Sequence, residues 1–217
     1  MSTAPLVLYG EPFWTSPYVF SCFVALREKR LSFSVELVDL AGGAHRRPPF
    51  LDRTLTGKVP ALAHGDFWLA ESTAIIEYLE EVFPPPAHPA VLPMEPFARA
   101  RARQVMAWIR SDLAALRSER PTTTMFYERA TAPLSPAGEA AAADLLRVAA
   151  AIVPATSPHL FGTWSIADAD LTFMLHRLLA NGHAVPARIA EYAAAQWQRP
   201  SVREFVDRRR EPHRPHE

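Results

Sequence analysis

The residues with the most evident chemical use lie close together, between positions 57 and 78. Pro60 holds Val59 extended and removes one backbone donor from the strand it enters. If the Val59-Pro60 bond is cis, Val59 turns its N–H and C=O outward, where an extended peptide can pair with them. Ser72 offers a hydroxyl and free amides at a helix start, which favours a carboxylate. Glu71 beside it can take an ammonium. Together these residues make a receptor for a small zwitterionic peptide. They read equally well as an edge-strand proline followed by an N-capped helix, and the stretch alone does not separate the two.

The elements around these residues follow from apolar spacing. Ala61-Leu62-Ala63 and Phe67-Trp68-Leu69 flank His64-Gly65-Asp66, so a hairpin is expected with Gly65 first in a type II′ turn. Ile75, Ile76 and Leu79 recur at helical spacing from a start at Glu71 or Ser72. Upstream, Leu6-Val7-Leu8-Tyr9 is a strand ended by Gly10-Glu11-Pro12. Ser16-Pro17 opens a helix over residues 18–30, with Ser at the N-cap and Pro at the first helical position. Residues 33–40 alternate as a second strand, and Gly42-Gly43 and Pro48-Pro49 bracket a short, poorly defined segment around His45 to Arg53. A parallel βαβ unit followed by a hairpin and a covering helix is a thioredoxin-like arrangement, placed at residues 1–83.

The proline-rich run from Pro84 to Pro89 reads as a stiff linker, residues 84–93. The remainder, residues 94–210, is expected to be all-helical. Helices are predicted over 95–119, 137–153, 166–179, 186–197 and 201–210, with a break at 121–136 carrying Phe126 and Tyr127. Residues 211–217 lack periodicity and are expected to fray. Ser165 and Asp168 have the spacing of a capping box, a role in folding rather than chemistry.

Composition narrows the function classes. The 217 residues carry a formal net charge of zero and a hydrophobic fraction of 49%, so nothing points to nucleic acid or an anionic membrane. Only Lys29 and Lys58 of the 23 basic residues are lysines. Cys22 is the single cysteine, which excludes an internal disulfide and any CxxC redox or zinc motif; its neighbours Val19, Phe20, Phe23 and Leu26 predict burial. No metal site is expected. Neither a secretory leader nor a run of roughly 18 apolar residues is evident, so a cytoplasmic location is expected.

In order along the chain, Ser16-Pro17, Lys58-Val59-Pro60, Glu71-Ser72 and Ser165-Ile166-Ala167-Asp168 resemble the cytosolic glutathione S-transferases over nearly the whole length. Within that family the chain is similar to the bacterial YfcF-type transferases. That likeness rests on Trp14-Thr15-Ser16-Pro17-Tyr18, on the segments 99–104, 110–113 and 119–122, and on Gln196-Trp197-Gln198-Arg199. The resemblance implies a homodimer, glutathione as co-substrate with no tightly bound cofactor, and a detoxifying transferase activity, with peroxidase or disulfide-reductase activity as its accompaniment.

It also implies roles. Val59 would pair with the cysteinyl part of glutathione beside a cis Pro60, and Glu71 and Ser72 would hold the γ-glutamyl end. His45 or Lys58 would meet the glycyl carboxylate. Ser16 would stabilise the thiolate by a hydrogen bond at a helix N-terminus, with Thr15 as the competing hydroxyl; Tyr9 falls too early, within the strand. Phe13, Trp14, Trp108 and Ser111 would line a pocket for an apolar electrophile. Two other readings stand beside this one: a glutathione-dependent peroxidase or reductase on the same site, and a non-catalytic binding module of the same fold.

Overall fold

The computed structural model describes residues 4–212. They form two compact units, one running to Val91 and including the residues from Glu204 on, the other Leu92–Arg203. In the first unit β1 (Leu6–Gly10), α1 (Pro17–Glu28) and β2 (Phe33–Leu37) make the parallel βαβ. After α2 (Phe50–Thr54) come β3 (Ala61–His64), β4 (Phe67–Ala70) and α3 (Ser72–Val82). The sheet order is β2-β1-β3-β4, with both later pairings antiparallel. Gly65 has φ +60 and Asp66 is not among the positive-φ residues, which is the type II′ hairpin turn that the sequence predicts.

The core of this unit is built from one side of β1 and the facing sides of α1 and α3. Leu8, Phe20, Phe23, Val24, Leu26, Ile75, Ile76 and Leu79 are all fully buried, as is Cys22. Where the sequence between Gly43 and Thr54 reads as irregular, the chain makes a 3-10 turn at Ala44–Arg46 and then α2. That segment is short and interrupted by Pro48 and Pro49, too brief for a periodic signal.

Lys29 ends α1 fully buried. Its ammonium meets Glu80 Oε1 at 2.8 Å and donates to the carbonyls of Phe83 (2.9 Å) and Pro89 (3.1 Å). The same Glu80 oxygen accepts the Val91 N–H at 2.7 Å. The proline-rich stretch is thus held down by one ammonium and one carboxylate whose charges are mutually compensated, as burial demands.

Residues 204–212 return to this unit. Phe205, fully buried, meets the rings of Trp14, Phe20 and Phe23 edge-on or tilted at 5.3, 5.3 and 5.7 Å. Arg27 pairs with Glu204 at 2.5 Å, and the Arg208 guanidinium sits 3.9 Å above the Trp14 ring. The helix expected over 201–210 is shorter, Pro200–Val206. The expected frayed tail lies, beyond Pro212, outside the described residues.

The second unit contains α4 (Pro96–Ser111), α5 (Ala114–Glu119), α6 (Thr123–Phe126), α7 (Pro136–Ile152), α8 (Ile166–Leu179), α9 (Ala187–Trp197) and the start of α10 (Pro200–Val206). The single helix expected over 95–119 is two. Ser111 donates to the carbonyl of Ala107 at 3.2 Å and also to Asp112, and Leu113 leaves helical geometry at ψ 37. A Ser-Asp pair offers local side-chain partners that compete with the helix ladder. Arg117 then takes up the Ile109 carbonyl at 2.7 Å.

At the start of α8 the capping box forms. The Asp168 carboxylate is fully buried and accepts four hydrogen bonds. The donors are the N–H groups of Leu160 (2.8 Å) and Ser165 (2.9 Å), and the hydroxyls of Ser165 (3.1 Å) and Tyr192 (2.8 Å). Burial raises its pKa while these donors pull it back.

Candidate active site

Sheet register gathers the predicted binding residues of the first unit. Tyr9 is opposite Ala61, and Ala61 is opposite Ala70, so the end of β1, the start of β3 and the end of β4 lie in one row. From that row leave three segments: Glu11 to Ser16 after β1, Val59-Pro60 before β3, and Glu71-Ser72 after β4. Pairing of this kind fixes position to within a residue, because a slip would turn every side chain to the other face.

Ser16 is the N-cap of α1, half-exposed, with φ −66 and ψ 120. Its Oγ accepts the Val19 N–H at 3.3 Å, which leaves the hydroxyl hydrogen to donate elsewhere. Three amides of the loop leading into the helix are already engaged. Thr15 and Ser16 donate their N–H groups to Glu11 Oε1 at 2.7 and 2.9 Å, and Phe13 donates to Oε2 at 2.7 Å. Pro17 has no N–H. At this helix end the Ser16 and Thr15 hydroxyls are donors suited to an incoming sulfur, while the amides of Phe13, Thr15, Ser16 and Val19 are committed.

Glu11 is the residue that sequence reasoning passed over as part of a strand end. It is only 4% exposed. Burial raises its pKa, and the N–H groups of Ser16, Thr15, Phe13 and Trp14 oppose that rise. The available signal was an acidic residue among Gly10, Pro12, Phe13 and Trp14, an apolar loop in which a carboxylate can be buried only against backbone amides.

The Val59-Pro60 bond is cis. Val59 is half-buried outside the β3 ladder, and its backbone N–H and C=O have no partner among the described residues. Gly57 has φ +60, and a Cβ there would lie 2.9 Å from the His45 carbonyl oxygen. This close approach brings the backbone of the His45 turn against Gly57, two residues before Val59. Lys58 is exposed and His45 half-buried, its Nε2 accepting from Arg46 Nε at 3.2 Å.

Glu71 is exposed, in a positive-φ conformation (φ 69, ψ 115) as the N-cap of α3, and its side chain makes no capping bond. Ser72, 5% exposed, begins the helix, and its carbonyl accepts the Cys22 thiol at 3.8 Å. Cys22 is therefore committed to the packing of α1 against α3.

The four residues expected around a second substrate have different settings. Phe13 and Trp14 are buried in the first unit, and Trp14, at φ 51, has its ring enclosed by Phe23, Phe205 and Arg208. That enclosure makes Trp14 a support of the Ser16 loop. In the second unit, Trp108 and Ser111 lie on adjacent turns of α4. Trp108 lines a cavity of about 540 Å³ with Arg101, Gln104, Arg147, Ile152 and Phe161, and Ser111 is exposed. Tyr9 stacks on Trp68 at 4.5 Å and meets Phe50 at 5.8 Å, packing that accounts for it within the sheet.

Comparison with known proteins agrees with this architecture. The family profile described as "Glutathione S-transferase, C-terminal domain" matches residues 95–209, and that described as "Glutathione S-transferase, N-terminal domain" matches residues 15–82. A solved glutathione transferase homolog from Burkholderia, with bound glutathione, is 38% identical with a TM-score of 0.77, covering 94% of this chain and 96% of that one. The chain belongs to the glutathione S-transferase family.

Among curated relatives, glutathione S-transferase 3 of Zea mays is 47% identical over 76 residues, 35% of this chain and 33% of that protein. Maleylacetoacetate isomerase of Pseudomonas aeruginosa is 43% identical over 94 residues, 42% of each chain. The chain thus spans about a third to two-fifths of the length of these curated relatives.

Proposed function

We propose that the protein is a glutathione transferase that activates the glutathione thiol through the Ser16 hydroxyl. The observation that carries this reading is the setting of Ser16 at the start of α1: Glu11 holds the N–H groups of Phe13, Thr15 and Ser16, Ser16 Oγ accepts that of Val19, and the Ser16 hydroxyl hydrogen is left to donate to sulfur. A free thiol of pKa about 8.5 is only a few per cent thiolate at neutral pH, and each unit of depression is worth ~1.4 kcal/mol. A hydroxyl donor together with the positive end of α1 supplies roughly one to two units. The sheet row supports the rest: Val59 pairs with the cysteinyl backbone, Pro60 shapes that edge, Glu71 and Ser72 take the γ-glutamyl group, and His45 or Lys58 takes the glycyl carboxylate.

The second substrate in this reading is a small apolar electrophile. The working form is a cytoplasmic homodimer of YfcF-type character with a detoxifying role. Peroxide reduction by bound thiolate is the second chemistry. A mixed-disulfide route through the protein's own thiol is disfavoured because Cys22 is fully buried against the Ser72 carbonyl.

The test is glutathione binding and turnover with a chloronitrobenzene and with cumene hydroperoxide, in wild type, Ser16→Ala and Thr15→Ala. Ser16→Ala is expected to lower turnover at least tenfold with little change in glutathione affinity. Unchanged turnover would move the role to Thr15, and absence of glutathione binding in the wild type would leave a non-catalytic binding module.

A further inference from the structure

We propose that Glu11 is the positioning residue of the thiol-activating loop: its buried carboxylate is the anion around which the amides of Phe13, Thr15 and Ser16 are folded, so that an incoming sulfur meets a hydroxyl rather than an open nest of N–H groups. This rests on the reading of Ser16 given above.

The geometry is specific to a carboxylate. Both oxygens accept backbone N–H groups, Oε2 from Phe13 and Oε1 from Thr15 and Ser16, all between 2.7 and 2.9 Å. An amide side chain has one accepting oxygen and one donating nitrogen, so in either flip it sets N–H against N–H. Among the described residues the hydrogen bonds to the Glu11 carboxylate come from backbone N–H groups, and charge-assisted bonds of this kind are the strong ones. Trp14, between the bonded residues, is held in a positive-φ conformation, with its own N–H directed to the Glu11 carbonyl at 3.4 Å. The loop is wound around Glu11, and Ser16 is its last turn.

Glu11 exerts two opposite influences on a sulfur beside Ser16. Its charge disfavours a second anion nearby, while its hydrogen bonds set the hydroxyl that favours one. The proposal is that the second governs, and the sign of one measurement decides.

The experiment compares wild type, Glu11→Gln, Glu11→Asp, Ser16→Ala and the double variant Glu11→Gln/Ser16→Ala. Readouts are kcat and KM for glutathione and the pKa of the bound thiol, followed by ultraviolet absorbance of the thiolate. Glu11→Gln is expected to lower kcat at least tenfold, to leave KM within about threefold, and to raise the bound-thiol pKa. Glu11→Asp keeps the charge but withdraws it by one methylene, and should show a smaller loss in the same direction. In the Ser16→Ala background Glu11→Gln should add less than twofold, because a residue acting through Ser16 has nothing left to position.

A bound-thiol pKa that falls in Glu11→Gln would overturn the proposal, leaving Glu11 as a charge alone. Losses that multiply in the double variant would also overturn it. If Glu11→Gln does not fold, the same cycle with Glu11→Asp decides. Wild-type behaviour in Ser16→Ala would instead remove the reading of Ser16, a result distinct from an unaffected Glu11→Gln beside an impaired Ser16→Ala.

Discussion

Arg210 donates from Nη2 to the carbonyl of Trp14 at 3.1 Å, joining positions 196 residues apart. Trp14 stands two residues before Ser16, so the loop that carries the candidate thiol donor is gripped at its positive-φ residue by the distal part of the chain. Arg210 also donates from Nη1 to the carbonyls of Val206 and Arg208, each at 2.9 Å, which holds its guanidinium in place.

Arg210→Ala should therefore destabilise the first unit by about 1.5–3 kcal/mol, the range for a hydrogen bond from a charged group. It should also speed hydrogen exchange at the Thr15 and Ser16 amides. Arg210→Lys should recover only part, since an ammonium lacks the planar fork. Denaturant midpoints and exchange rates check both.

The Lys29–Glu80 pair predicts a larger effect. Lys29→Ala strands a buried carboxylate and two carbonyls, and should cost about 3–5 kcal/mol. Lys58→Ala, at an exposed position, should stay within about 0.5 kcal/mol. Urea denaturation of the two variants side by side tests the contrast.

His176 gives a pH dependence. Burial lowers its pKa to about 4, against an opposing hydrogen bond from Nδ1 to the Thr172 carbonyl at 2.9 Å; the ring stacks on Trp197 at 3.7 Å. Between pH 6.5 and about 4 the unfolded chain binds a proton that the folded chain refuses. The contribution is fully present above pH 6.5 and is lost as pH falls toward 4, at up to ~1.4 kcal/mol per pH unit. His176→Phe, which keeps an aromatic face for Trp197, should flatten that part of the stability–pH curve.

What the sequence disclosed and what it hid divide along a physical line. Local rules were legible: the Ser16-Pro17 helix start, the Gly65-Asp66 turn and the Ser165–Asp168 box are each set by a few neighbouring residues, and all three formed. The apolar spacing that marked the strands and the larger helices was equally local. The break after Ser111 was missed because apolar residues resume their helical spacing beyond it, and the periodic signal reads across.

Glu11 was hidden for a different reason. Its partners are main-chain groups, which leave no trace in residue types. Phe205, Arg208 and Arg210 looked like the end of one more helix, because only the folded chain brings them beside Trp14 and Phe23.

The return of Phe205 to the first unit bears on the order of synthesis. The ribosome makes the sheet and its two covering helices first, then the whole second unit, and only then the ring that lies against Trp14, Phe20 and Phe23. Until that ring emerges, the nascent domain has an unfilled aromatic recess next to the loop that carries the candidate thiol donor. Chains interrupted before Phe205 should be recognisable to chaperones by that recess, and the loop would acquire its final shape only after translation has passed the last helix.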